Sequence, residues 1–323
     1  MLENPAVHPQ ALRYAERSAG RTPLLNLTVI VDPVTRTPAS IEKAARIAQA
    51  YGSSVQLLSC VSGSELPDAW AGGTTLAAYH GVLRERQIGV LERLAEPLRK
   101  SGLAVTSEAV CTSSVADTIL VQSLLHKADL VVKEVARQGL GSDSGSELDE
   151  RLMREIAAPL LLVRSAPWPF HPRICVAVDP CHPADRPAAL DEAMIGTGRS
   201  LGHALIGGIE LLHVLQSPPH LPAVNVPFED RQAAYAHARS CVDELARRAG
   251  IPQDAVHYLV GLVPESISSL ADSAGADIIV IGASARPRLH ASDAGSASYL
   301  LDVAACDLLI VKPPGFVSPV LEE

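Results

Sequence analysis

Aromatic side chains make up only 3% of this 323-residue sequence. It therefore lacks the stacking platforms on which single-stranded nucleic acids are held. Positive charge is in deficit too: 27 Lys and Arg stand against 36 Asp and Glu, a formal net charge of −9 at pH 7. That balance repels phosphate backbones and anionic membrane surfaces, so no nucleic-acid or membrane partner is expected. No run approaches the ~18 uninterrupted apolar residues of a membrane span. The opening segment, residues 1–23, is polar and has no apolar signal-peptide core, and a cytoplasmic protein is expected.

Other absences narrow the chemistry. Cys60, Cys111, Cys175, Cys181, Cys241 and Cys306 form no Cys-x-x-Cys pair, and several lie in apolar runs, as Cys175 does in RICVAVD. Buried free thiols are expected, with no disulfide framework. None of the histidines belongs to a His-Glu-x-x-His or paired Cys/His spacing, so Cys181, His182, His213 and His220 are not expected to hold a metal. Gly-x-Ser-x-Gly and Gly-x4-Gly-Lys-[Ser/Thr] are missing as well, which removes the nucleophile elbow and the P-loop. Catalytic residues are not expected; slow ATP hydrolysis is the most that enzyme chemistry would amount to.

What the chain does have is aliphatic: hydrophobic residues are 47% of it, enough for two domains of ordinary size. It also repeats itself. LNLTVIVDP, ending at Pro33, matches RICVAVDP, ending at Pro180, and sets an offset of 147 between Asp32 and Asp179. Each Asp-Pro, read as a turn cap, is followed by a helical pattern, Ile41–Ala50 or Ala188–Leu201, and then by a strand-like run, Ser54–Val61 or Gly208–Leu215. Amphipathic patterns follow at Leu83–Lys100 and Arg231–Arg248, stopped by Gly102 and Gly250. ADLVV (Ala128–Val132) matches ADIIV (Ala276–Val280) at offset 148, and PLLLVRS matches DLLIVKP at the same offset. Each copy reads β-α-β-α-β-α-β-α-β. That order predicts an α/β fold of two tandem doubly wound parallel five-stranded sheets. The boundaries predicted are an arm at 1–23, a first domain at 24–166, a Pro-rich linker at 167–172, a second domain at 173–316 and a tail at 317–323. PLLLVRS and DLLIVKP are expected to pair the two copies as a pseudo-dimer, which would hide both edge strands.

The chemistry-bearing motif follows the ADIIV strand of the second copy. Gly282, Ala285 and Gly295-Ser296 are spaced so that a glycine closes the strand and a Gly-Ser opens the next helix. A helix start offers free amides and a positive dipole end to an anion. Here the sequence resembles the universal stress protein family, whose nucleotide-binding members carry Gly-x2-Gly-x9-Gly-[Ser/Thr] at this place. The resemblance implies a Rossmann-like fold of the adenine nucleotide alpha hydrolase kind and an ATP or ADP site made by Asp179, Pro180, Val214, Ile281, Gly282, Ala285, Arg286, Gly295, Ser296, Ala297 and Ser298. It places Asp179 toward the adenosine, Val214 beside the adenine and Ser298 in the phosphate-binding turn. No metal is required, though magnesium could accompany ATP. Ala285 departs from the family's middle glycine, and its methyl group would cost ~1–2 kcal/mol, roughly tenfold in affinity.

The first copy departs further. Lys133 and Glu134 replace Ile281 and Gly282, and Arg137 replaces Ala285. A degenerate site that supports the pair is expected, the sharper alternative being a pocket for another ligand contacted by Lys133, Glu134 and Arg137. The whole chain is expected to act in a stress response by binding, with an unnamed signalling partner and homodimer formation compatible with it. The rival reading is a nucleotide-free protein that binds a small apolar or lipid-like ligand, or a protein partner, in an aliphatic cleft.

Overall fold

The computed structural model of the chain describes residues 24–33, 39–62, 75–135, 143–181, 188–215, 228–283 and 293–321. Two compact units emerge, one built on Pro23–Pro167 with the segment from Ser318 onward, the other on Trp168–Val317. The first unit runs β1 (Asn26–Ile30), α1 (Ala39–Tyr51), β2 (Ser54–Ser62), α2 (Leu76–Lys100), β3 (Ala104–Thr112), α3 (Val115–Leu125), β4 (Leu130–Glu134), α4 (Asp143–Glu155) and β5 (Leu160–Val163). The second runs β6 (Arg173–Ala177), α5 (Ala188–Leu205), β7 (Gly208–Leu215), α6 (Phe228–Ala249), β8 (Val256–Val260), α7 (Val263–Ala274), β9 (Ile278–Gly282), α8 (Asp293–Val303) and β10 (Asp307–Val311).

The strands are parallel and ordered β3-β2-β1-β4-β5 in the first unit and β8-β7-β6-β9-β10 in the second. The repeat holds residue by residue. β6 begins and ends 147 residues after β1, and β9 begins and ends 148 residues after β4. The aliphatic composition explains the central strands, because a strand covered by helices on both faces has no solvent side for polar residues. Leu27, Val29, Val131, Leu161, Ile174, Val176, Ile279 and Leu309 are all buried.

Local chemistry sets the helix ends. Thr75 caps α2 through a bond from Ala78 N, and Ser114 caps α3 through one from Asp117 N. With that cap, α2 starts seven residues before the amphipathic run at Leu83. Gly102 and Gly250 follow α2 and α6 with φ of +90° and +63°, the left-handed stop predicted for them. Asp129 and Asp277 do one job in both units: Asp129 Oδ2 accepts from Leu25 N and Asn26 N, and Asp277 Oδ2 accepts from Arg173 N. Each carboxylate thus satisfies backbone donors at the start of the neighbouring first strand.

Trp168 is buried, and its Nε1 donates to Asp307 Oδ2 at 2.7 Å. The Pro-rich stretch is thereby built into the second unit from Trp168 onward. At the other end of the chain, a 3₁₀ turn at Pro319–Leu321 packs on α3 of the first unit.

Candidate functional site

In both units the strand order reverses between the first and fourth strands, at β1/β4 and at β6/β9. An open α/β sheet binds ligands outside the carboxyl ends of its strands at such a point. In the second unit Val176 pairs in register with Val280, which brings Val178 level with Gly282. Asp179 and Pro180 follow on one side, Gly282 and Ala283 on the other. Predicted site residues that are distant in sequence are therefore neighbours at one sheet end.

The β6 side of this point is tightly held. Val178 N donates to Leu212 O, and Asp179 N donates to Oδ1 of Asp191, a buried residue in the first turn of α5. His213, buried in β7, places Nδ1 2.8 Å from Val178 O. It is a strand residue that pins the end of β6. Val214, next along β7, is also buried. On the other side Ala283 N donates to Val311 O, which carries the β9–β10 ladder one residue past Gly282.

The remaining predicted residues divide. Gly282 and Ser298 are half-buried, whereas Ile281 and Ala297 belong to the apolar core. Ile281 and Ala297 thus offer a ligand backbone and packing, not exposed side chains. Gly295 and Ser296 fall in the first turns of α8. Ala285 and Arg286 lie outside the described residues. Among the described residues no cluster of His, Cys, Asp and Glu could hold a metal ion. A shallow depression of ≈ 590 Å³ lies along α7 and α8, lined by Glu265, Asp272, three serines, Tyr299 and Val303. It contains none of the predicted site residues, and its two carboxylates make it hostile to a phosphate.

The first unit arranges the same place differently. Lys133 Nζ lies 2.7 Å from Asp149 Oδ1, and both side chains are nearly inaccessible, at 11% and 2%. Lys133 Nζ also donates to Glu134 O. Burial pushes the Asp149 carboxyl above the usual aspartate range, against the opposing effect of Lys133 and Arg164. At offset 148 the two partners stand where Ile281 and Ala297 stand in the second unit. Both helices confirm the correspondence, since Asp149 and Ala297 each sit six residues before the helix end. Glu134 takes the position of Gly282, and its Oε2 is buried without a hydrogen-bond partner. Lys133 thus already has a neutralising partner in Asp149. Arg137 lies outside the described residues. Sequence reasoning missed the pair because nothing local in ADLVVKE points to Asp149; the signal was a joint replacement, Ile/Ala by Lys/Asp, at two positions of the repeat.

Residues 171–312 match the model of the universal stress protein family. Universal stress protein E of Escherichia coli strain K12 is 24% identical over 306 residues, covering 91% of this chain and 96% of its own. The second unit belongs to the universal stress protein family. Its match to Universal stress protein E of Photorhabdus laumondii is equally extended, 24% identical over 316 residues and covering 97% of that relative. A universal stress protein of Archaeoglobus fulgidus shares the fold with a TM-score of 0.60 at 13% identity, over 89% of this chain and 96% of that one. A Pseudomonas aeruginosa protein of unknown function shares it at 0.69 and 20% identity, over 93% and 95%. The tandem reading of the universal stress protein fold therefore extends over nearly the whole chain.

Proposed function

We propose that the whole chain is a tandem universal stress protein that acts by binding ATP or ADP in its second unit, while its first unit serves as scaffold. The observation that carries the reading is the contrast at the two switch points. The second unit presents Gly282 beside Asp179, and α8, which opens at Asp293, carries Gly295 and Ser296 in its first turn and Ala297, with Ile281, as an apolar floor. A glycine lets backbone approach a phosphate, and the helix start supplies amides and dipole. The first unit fills the equivalent floor with a salt bridge and adds the carboxylate of Glu134, which opposes a polyphosphate.

The adenine preference rests on the family resemblance of Asp179, Pro180 and Val214. Magnesium, where present, would arrive with ATP. Occupancy would change the surface shown to a signalling partner in the cytoplasm, with no need for turnover.

The test is mass spectrometry of nucleotides released on denaturing the freshly purified chain, beside the Gly295→Val variant. The reading expects ATP or ADP near one per chain, absent from the variant. A wild-type chain that is empty, and that gains no thermal stability from added ATP, refutes it in favour of a nucleotide-free ligand or a protein partner.

A further inference from the structure

Cys181 and Cys241 are 60 positions apart in sequence, but the fold seats the Cys181 thiol on α6 within one helical turn of Cys241. Cys181 lies in the turn just after Asp179 and Pro180. Its Sγ reaches the Ala238 carbonyl on α6, at 3.6 Å. Cys241 sits on the next stretch of that helix, with His237 Nε2 3.7 Å from its Sγ. Both cysteines are half-buried and so accessible, whereas Cys60 and Cys175 are buried. We propose that Cys181 and Cys241 are a peroxide-oxidisable dithiol that closes to a reversible intramolecular disulfide, stapling the end of β6 to α6.

The roles differ between the two sulfurs. Burial, and next the neighbouring Cys241, push the Cys181 thiol up to about 12, which keeps it protonated and so rules it out as the sulfur that meets peroxide first. Cys241 is the attacking sulfur. His237 takes its proton, and the thiolate attacks one oxygen of hydrogen peroxide. The O–O bond breaks, leaving a sulfenic acid on Cys241, and the departing hydroxide is protonated to water. Cys181 sulfur then attacks the sulfenic sulfur. The S–O bond breaks, the S–S bond forms, and the released hydroxyl leaves as water with the Cys181 proton. Two thiols lose two electrons in all, and one peroxide is reduced to two waters. An external thiol reverses the reaction by exchange.

The inference goes beyond nucleotide binding and does not depend on it. The full reduced chain is treated with a small excess of hydrogen peroxide without nucleotide, alkylated and mapped by mass spectrometry. The expected product is one linkage between the Cys181 and Cys241 peptides, lost on adding dithiothreitol. Cys181→Ser should abolish the linkage and leave a sulfenic acid at Cys241, trapped by a cyclic 1,3-diketone. Cys241→Ser should abolish both, and His237→Asn should slow the first step while leaving the fold intact. A link between Cys175 and Cys306 in its place, oxidation confined to Cys111, or a chain in which Cys181 and Cys241 stay reduced while other thiols react would overturn the proposal. A sulfenic acid at Cys181 in the Cys241→Ser variant would overturn the assigned roles.

Discussion

Replacing Lys133 and Asp149 by the Ile and Ala that occupy their positions in the second unit should preserve the first unit, whereas removing Asp149 alone should cripple it. The lysine side chain is 11% exposed and the aspartate 2%. Asp149→Ala would strand a buried ammonium, with the Glu134 carbonyl as a remaining acceptor. Breaking such a pair from one side costs about 3–5 kcal/mol. In a unit of this size that is a fall in melting temperature of roughly 10–15 °C. Replacing both partners by apolar residues is commonly neutral or stabilising by about 1–4 kcal/mol, because the desolvation of two charges disappears with them. The second unit shows that this fold accepts the apolar solution, with Ile281 and Ala297 both buried. The assay is urea unfolding of the wild type, Asp149→Ala and Lys133→Ile/Asp149→Ala. Hydrogen exchange in the β4 peptide, residues 130–134, reads the first unit separately, since a two-unit chain need not unfold in one step. A double variant no more stable than the single one would refute the reasoning. It would mean that the loss comes from cavities and not from an uncompensated charge.

Three further perturbations test the local physics. Ile206 has φ of +54°, a left-handed geometry that the equivalent end of α1 gives to Gly52, and it is 66% exposed. Ile206→Gly should therefore stabilise the second unit by up to about 1 kcal/mol, net of the extra freedom of glycine in the unfolded chain, read as a higher urea midpoint. Its neighbour should behave oppositely: a methyl at Gly207 would collide with the Pro172 carbonyl, so Gly207→Ala should destabilise by about 1–3 kcal/mol in the same assay. Arg99 holds the exposed Glu92 carboxyl down to about 2 from its ordinary 4.5. A depressed folded pKa gives stability that is full above the ordinary range and is lost as pH falls through it toward 2. Glu92→Gln should thus flatten the dependence of melting temperature on pH between about 4.5 and 2; a variant as acid-sensitive as wild type would assign that slope to other carboxylates.

The fold was legible because its signals are local or periodic. An aliphatic strand closed by Asp-Pro, a helix stopped by Gly102 or Gly250, and a run such as ADIIV recur at a nearly constant offset, and chain order then dictates the parallel sheet. The assembly of Asp179 with Gly282 was legible for the same reason, since both sit at strand ends whose order follows from the repeat. The interactions that decide chemistry were not. Lys133–Asp149, His213–Val178 and Cys181–Ala238 join residues 16, 35 and 57 positions apart. None leaves a spacing signature, because side-chain meetings across crossovers depend on how helices seat on the sheet. Even the buried state of Ile281 and Ala297 needed the three-dimensional packing.

The asymmetry between the units has a physical consequence for the duplication itself. Stability alone gives no reason to place a buried ion pair where Ile and Ala serve, because the pair must overcome the desolvation of two charges. The pair also rules out the half-measures an apolar floor allows. Ile281 tolerates conservative exchange at modest cost, whereas neither Lys133 nor Asp149 can change alone without leaving a buried charge. Converting this switch point to the apolar floor of the second unit therefore requires two simultaneous changes and removal of the Glu134 carboxylate. The converse holds in the second unit. Ile281→Lys with Ala297→Asp should transplant the lock, leaving a folded chain whose released nucleotide falls to the background of Gly295→Val. Retention of nucleotide by that double variant, with β9 still protected from hydrogen exchange, would show that the floor of the switch point does not govern the ligand.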